Sequence, residues 1–421
     1  MIQTGSILTL DVEKPAAGGR MLARHHGQVV LVWGAIPGER VTARIDRTTK
    51  SLAFASTIDV LSPSPDRRTT AADPRCGGNV LAHIGYERQC RLKGEIIRDA
   101  FVRIGRVPLE RDPEVIGSPE RGYRMRARLH VVNGRLGFYR EETHDLCDAV
   151  QTGQLLDTAG EWLSTAGEII RAAGPDGVAG VEMTENIAGD ERACHLDLRG
   201  GVRVADYSAL ATGLVGVTAQ TADSPLVQTL AGTPHVTDVI QVRDDVPALR
   251  LRRHVRAFFQ GNRFLIGSLV RHVLALVPPG PVIDLYAGGG LFGLSLAAAG
   301  ADRVTLVEGD AVSGADLQMN ADPFRDRTHV ERTSVEEFLA RRRSVAETVI
   351  VDPPRTGLSR EAIAGILTLT PTRLVYVSCD VATLARDTRT LLDSGYSLGP
   401  LTALDLFPNT AHVETVTVLT R

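Results

Sequence analysis

From residue 257 onward, short apolar runs alternate with helical spacing. Runs at 281–285, 303–307, 349–351 and 374–378 read as buried strands, and 294–299 and 381–385 open helices. That alternation predicts an α/β fold with a doubly wound sheet. Residues 1–62 read differently, as strands at 6–10, 28–33, 39–44 and 53–60 separated by glycine turns, which predicts a small β-barrel. A linker by composition follows at 62–68. A helical pattern then runs over 86–104, and a strand pair at 124–140 turns at Asn133-Gly134. Residues 155–173 predict a helix and 192–204 paired strands. The expected division is a barrel over 1–62, a central α+β domain over 63–250 and a catalytic α/β domain over 251–421.

Composition narrows the class. With 421 residues, 43% hydrophobic content and no apolar stretch of membrane-spanning length, the chain reads as a soluble protein of two or three domains. Residues 1–5 show no export signal, and the five cysteines form no close pairs, so a reducing cytoplasm is expected rather than a disulfide scaffold. The net charge of −3 does not suggest a nucleic-acid partner. The local distribution does: Arg124, Arg126 and Arg128 alternate along one predicted strand with His130 beyond them, a basic face suited to RNA phosphates or simply to solvent.

Candidate chemistry gathers at predicted strand ends, where an open α/β sheet binds its ligands. Cys379 follows the apolar run 374–378 and precedes a helix, a place where the helix dipole favours the nucleophilic thiolate. Asp352-Pro-Pro-Arg355 follows another such run, and His412-Val-Glu414 lies on a third. Asp284 precedes a loop with Gly288, Gly290 and Gly293, and Glu308 ends the next strand, placed to accept hydrogen bonds from ribose hydroxyls. The glycine spacing alone also fits a dinucleotide-dependent oxidoreductase. An acid directly before the loop and a nucleophile-like cysteine farther along favour S-adenosylmethionine.

Taken in order, residues 258–262, the Asp284 loop, Glu308, 352–357, 378–387 and 407–414 resemble the RNA uracil-C5 methyltransferase family, and 34–39 with 62–65 resemble its TRAM RNA-binding module. The resemblance spans essentially the whole chain. It implies a Rossmann-like class I methyltransferase domain behind the barrel, with Gln260, Tyr286, Gly288, Glu308 and Asp352 contacting S-adenosylmethionine. Cys379 would be the nucleophile that adds to uracil C6, and Glu414 the base. Arg124, Arg126 and Arg128 would meet RNA, 23S ribosomal RNA in preference to transfer RNA because tRNA-directed bacterial relatives often lack the module. A cytoplasmic monomer with no membrane partner is expected.

Two departures from the family pattern stand out. Relatives often hold an iron-sulfur cluster on four cysteines, but here Thr70, Asn79 and Thr152 fall where three of them would be and Cys76 alone remains, so the cluster is expected to be absent. Asp380 replaces the usual asparagine beside the nucleophile; a helix-capping role is the favoured reading. Two other functions compete: a tRNA uridine-C5 methyltransferase, and an RNA-binding or folding factor whose methylation is vestigial.

Overall fold

The computed structural model describes residues 2–70, 72–141, 143–342 and 347–421. Strands Ile7–Pro15, Met21–His25, Gln28–Trp33, Arg40–Thr48 and Leu52–Ser62 close into a barrel. The strand Met21–His25 was not legible in the sequence: it has five residues, and its register is imposed by the strands Ile7–Pro15 and Gln28–Trp33 on either side. Inside the barrel, Leu10, Met21, Val30, Val32, Val41 and Ile45 pack with Ile84 and Leu92 from beyond the linker, so the barrel core extends into the next element. Glu39 fastens the two segments. Its buried carboxylate accepts both Nε and Nη2 of Arg67, each at 2.6 Å, together with the Ile36 and Ser64 amides. Burial alone would push Glu39 up, but these donors outweigh it and hold its carboxyl below the usual range.

The helix expected over 86–104 is α-helical over Tyr86–Ala100 and continues as a π-helical turn, Phe101–Gly105, ended by Arg106 in the left-handed conformation (φ 54°). One part of it, Leu92, lies in the barrel core, and Ile97, Ala100 and Phe101 lie in the core of the catalytic sheet. The helix therefore bridges the first and last parts of the chain.

Next comes a seven-stranded sheet in which the basic hairpin forms as expected. Arg126–Val132 and Arg135–Tyr139 pair across Asn133 (φ 51°) and Gly134 (φ 69°), both left-handed as a tight two-residue hairpin turn requires. The helix Asp157–Ala173 covers this sheet through Trp162, Leu163, Ala166 and Ile170. The expected strands over 192–204 are corrected in part. Arg192–Leu198 is a strand between Val178–Glu185 and Gly216–Thr221, but Val204 begins a 3-10 helix, because Gly200 and Gly201 break the strand.

The catalytic domain carries an eight-stranded sheet. Four parallel strands, Val282–Leu285, Val304–Val307, Thr328–Glu331 and Thr348–Val351, are joined by a fifth, Arg373–Ser378. The antiparallel pair Glu414–Thr420 and Ser397–Leu404 follows, and Val115–Ile116, from far earlier in the chain, adds the last edge. Alternate residues face two separate cores: Ile283, Leu285, Val349 and Val351 enter one, Val282 and Ile350 the other. That is the packing of a sheet covered by helices on both faces.

One expectation is overturned. Cys76 and Cys147, 71 residues apart, form a disulfide, whereas the sequence showed only scattered thiols. The linker segment and the strand Leu146–Asp148 are brought together by the bridge Cys76–Arg140 and by the strand pairing of Leu146–Asp148 with Arg135–Tyr139. Closing a loop of this length constrains the unfolded chain by about 4 kcal/mol in the chain-entropy account. Alkylation of the unreduced, denatured protein should accordingly label Cys90, Cys194 and Cys379 and spare Cys76 and Cys147, and reduction should lower the melting temperature. Five labelled cysteines before reduction would refute the bond.

Candidate active site

Cys379 stands one residue beyond the strand Arg373–Ser378, and Asp380 caps the helix Val381–Asp393 by accepting the Thr383 amide at 2.9 Å. The predicted capping role of Asp380 is thus the observed one. The strand ends here because Ser378 turns the chain: its hydroxyl donates to the Asp380 carbonyl and accepts the Asp380 amide. Cys379 opens onto a cleft of about 770 Å³ formed by all three regions of the chain. Pro15 and Gly18 come from the barrel, Gly77, Gly78, Arg124, Arg128 and His130 from the central domain, and Arg355 and His412 from the catalytic domain.

Behind the thiol lies a buried acidic group. Glu414, the first residue of its strand, is 1% exposed, and its Oε1 has no hydrogen-bond partner among the described residues. Burial lifts its carboxyl well above the usual carboxylate range, the neighbouring Asp352 lifts it further and Arg355 opposes both. Asp352 is pushed up to about 7 by burial, against a hydrogen bond from Gln260 Nε2 at 3.0 Å. The Cys379 thiol is pushed up to about 12, first by burial and then by Glu414 and Asp352, with Arg355 as the compensating charge. The dipole-stabilised thiolate expected from the sequence is therefore corrected: burial and two acids outweigh one helix terminus, and the resting residue is a thiol.

Gln260 and Asn262, read together from the sequence, separate in function. Asn262 accepts the Phe264 and Leu265 amides and donates to Ser118 and to the Leu406 carbonyl, so it braces the backbone, whereas Gln260 reaches Asp352. The predicted cofactor group forms a second locus. Tyr286 (φ 63°) turns the chain out of its strand, and Glu308 accepts the Gly288 amide at 2.7 Å and the Asp310 amide at 2.6 Å. Gly288 (φ 56°) has open space where a Cβ would stand, as a backbone approached by a ligand requires. At Gly293, by contrast, a Cβ would sit 2.2 Å from Leu306 and 2.9 Å from Asp284, because the helix after the loop packs directly on the sheet. Asp284 itself is buried, accepts the Gly293 amide and is pushed up to about 8 by burial. Asp352 is placed by its electrostatic coupling with the Cys379 and Glu414 locus, and Asp284 feels both it and Glu308.

The basic hairpin is divided. Arg124 and Arg128 line the cleft, Arg124 stacking over Phe138 with its centre 5.1 Å from the ring, while Arg126 bonds Glu182 at 3.0 Å. Sequence reasoning gave no role to Arg355 or His412. Arg355 was visible as the last residue of Asp352-Pro-Pro-Arg355, and His412 two residues before Glu414. Burial, Arg355 and Lys93 hold the His412 imidazole down to about 4, so it is neutral in the cleft.

An iron-sulfur cluster does not fit the residues present. It takes four thiolates, and the region offers Cys76 and Cys147, already bonded to one another. Among the described residues no group of three or more histidine, cysteine or acidic side chains is arranged to hold a metal, and no helix is long and apolar enough to cross a membrane.

Residues 227–421 match the tRNA (uracil-5-)-methyltransferase family model and residues 3–58 the TRAM domain. A Pseudomonas putida protein named 23S rRNA (uracil(1939)-C(5))-methyltransferase RlmD is 30% identical, covering 98% of this chain and 93% of its own. An RNA methyltransferase of Streptomyces coelicolor is also 30% identical, over 99% of this chain and 93% of its own. The structure of a Pyrococcus abyssi tRNA (uracil-54, C5)-methyltransferase in complex with S-adenosyl-L-homocysteine superposes with a TM-score of 0.78 at 24% identity, covering 98% of this chain and 99% of that one. With barrel, sheet and site in the order that the sequence implied, the chain belongs to the RNA uracil-C5 methyltransferase family.

Proposed function

We propose that the protein transfers a methyl group from S-adenosylmethionine to C5 of a specific uridine in 23S ribosomal RNA, through a covalent bond between Cys379 and C6 of the base. The observation that carries this reading is the shared site of Cys379 and Glu414 beside a cleft lined by Arg124, Arg128 and Arg355. We assign Tyr286, Gly288 and Glu308 to the cofactor, and Gln260 and Asp352 to the junction of cofactor and base. The three-part division at residues 62 and 250 belongs to the same proposal, with RNA lying across all three parts. Arg126, paired with Glu182, would support the RNA face through its neighbours.

Uracil C5 is a weak nucleophile until C6 is attacked. As the sulfur–C6 bond forms, the C5–C6 π electrons pass to the C4 carbonyl as an enolate. C5 then takes the methyl group, and the sulfonium leaves as a thioether. Glu414 accepts the C5 proton as the sulfur–C6 bond breaks and the double bond returns. A base stacked in a helix cannot present C6 to this thiol, so the uridine must be turned out into the cleft. Arg355, near both Cys379 and Glu414, favours their charged forms.

The name of the Pseudomonas putida relative supports ribosomal RNA, and the target of the Pyrococcus abyssi enzyme gives the competing tRNA reading. Mapping 5-methyluridine with and without the gene should show loss of one or more ribosomal positions; loss confined to tRNA would transfer the proposal to the second substrate. In purified protein, Cys379→Ala should abolish turnover and retain cofactor binding, whereas Glu414→Gln should accumulate protein–RNA adduct stable under denaturing conditions. Turnover by the alanine variant would exclude the covalent route.

Thiol and carboxyl are both held toward their protonated forms, so each gains its reactive form as pH rises. The value of kcat/KM should therefore increase with pH from neutrality upward, and Asp380→Asn should leave that profile in place. A rate that falls between neutrality and mild alkali would contradict the assignment.

A further inference from the structure

Residues 405–413 leave the strand Ser397–Leu404 and end at Glu414, and most of the hydrogen bonds on them come from distant parts of the chain. Gln89 and Lys93 supply the densest set. They lie four residues apart on the helix Tyr86–Ala100, hence on one face, and both are fully buried. Lys93 Nζ donates to Asp405 Oδ1 at 2.5 Å and to the Phe407 carbonyl at 3.1 Å. Gln89 clasps Asn409 from both sides: its Nε2 donates to Asn409 Oδ1 and its Oε1 accepts the Asn409 amide, each at 2.9 Å. Arg68 donates to the same Oδ1 at 2.9 Å, and the Leu81 amide donates to the Asn409 carbonyl at 2.8 Å. Asn409 is left-handed (φ 63°), a conformation that asparagine adopts more readily than other side chains.

A buried ion pair such as Lys93–Asp405 is a weak source of net stability, because desolvation offsets the attraction. It does impose one geometry, since any other leaves a charge buried without its partner. The hydrogen bonds of Gln89 and Lys93 go to residues 81, 84, 405, 407 and 409. Cys379 is carried by a different segment, from Ser378 to the Asp380 cap. Ser378 pairs with Thr415 in the sheet, so the two segments share one register, while the turn that precedes Glu414 is held from the helix Tyr86–Ala100.

We propose that Gln89 and Lys93 are positioning residues for proton abstraction, acting through the turn at 405–413 to place Glu414 where it removes the C5 proton. This rests on the covalent reading above. Loosening the turn should spare attack by Cys379 and methyl transfer, and slow the elimination that follows. The methylated adduct then accumulates, with the sulfur–C6 bond intact and the C5 proton still in place.

The test uses full-length protein, S-adenosylmethionine and a uridine-containing RNA substrate. Gln89→Met removes the clasp while keeping the side-chain volume. Lys93→Met with Asp405→Asn removes the ion pair without leaving a lone buried charge. Each variant should show one rapid methyl transfer per enzyme followed by slow turnover, with kcat reduced about tenfold, a part of the factor a positioned base supplies. The KM for RNA should stay within about twofold, and a denaturation-stable adduct, scarce in the wild type, should dominate. Unchanged kcat in both variants overturns the proposal, as does a fall in kcat without adduct. Wild-type protein that also fails to trap RNA carrying 5-fluorouridine, whose C5 has no proton to lose after methylation, overturns the covalent reading and this inference with it. Successful wild-type trapping with no adduct in the variants overturns this inference alone.

Discussion

The controlling constraint is the gathering of three carboxyl groups on one sheet: Asp284 and Glu414 are buried, and Asp352, half-buried, follows the strand next to that of Asp284. Charge confined in so little water is costly, and each group is pushed toward its neutral form. The partial remedies differ. Asp352 accepts Gln260 and Asp284 accepts a backbone amide, while one oxygen of Asp284 and one of Glu414 have no hydrogen-bond partner among the described residues. Arg355 supplies the opposing charge for both Glu414 and Cys379, so the electrostatics of the carboxyl and the thiol are joined through one guanidinium.

The architecture around that site explains why the chain needs its first hundred residues. The barrel does not hang from a free tether: Glu39 and Arg67 lock its exit, and Leu92 fills the barrel core while Ile97 and Phe101, about a helical turn or two farther on, fill the core of the catalytic sheet. A rigid helix thereby relates the barrel to the loop that ends in Glu414. The cleft inherits this arrangement, because its walls come from the barrel, the central domain and the catalytic domain at once. An RNA segment long enough to span them would be held on elements whose relative positions are already set, which lowers the ordering cost of binding.

Much of this was legible because it rests on local patterns. Apolar runs ending in Asp284, Glu308, Asp352 and Cys379 are strand ends in the fold, and Asn133-Gly134 is the hairpin turn. What escaped was set by contacts distant in sequence. The pairing of Cys76 with Cys147 and the edge strand Val115–Ile116 depend on partners 71 or more residues away, and nothing in their own neighbourhoods announces them. The state of Cys379 was misread for a related reason. Its helix terminus is local, but the burial and the two acids that raise its pKa come from other strands. Lys93 showed the same limit: one of three lysines, it looked unremarkable until Asp405, more than three hundred residues on, was placed against it.

Asp380 shows how a local rule and a tertiary one can be separated. A carboxylate next to a nucleophilic thiol should oppose its ionisation if the charge faces the sulfur. Here Oδ1 is committed to the Thr383 amide, at the end of the helix where backbone N–H groups gather and the dipole favours negative charge. The thiol pKa is raised instead by burial and then by Glu414 and Asp352. Replacing asparagine by aspartate at this position therefore exchanges one helix cap for another, and the reactivity of Cys379 remains in the control of the buried acids and Arg355.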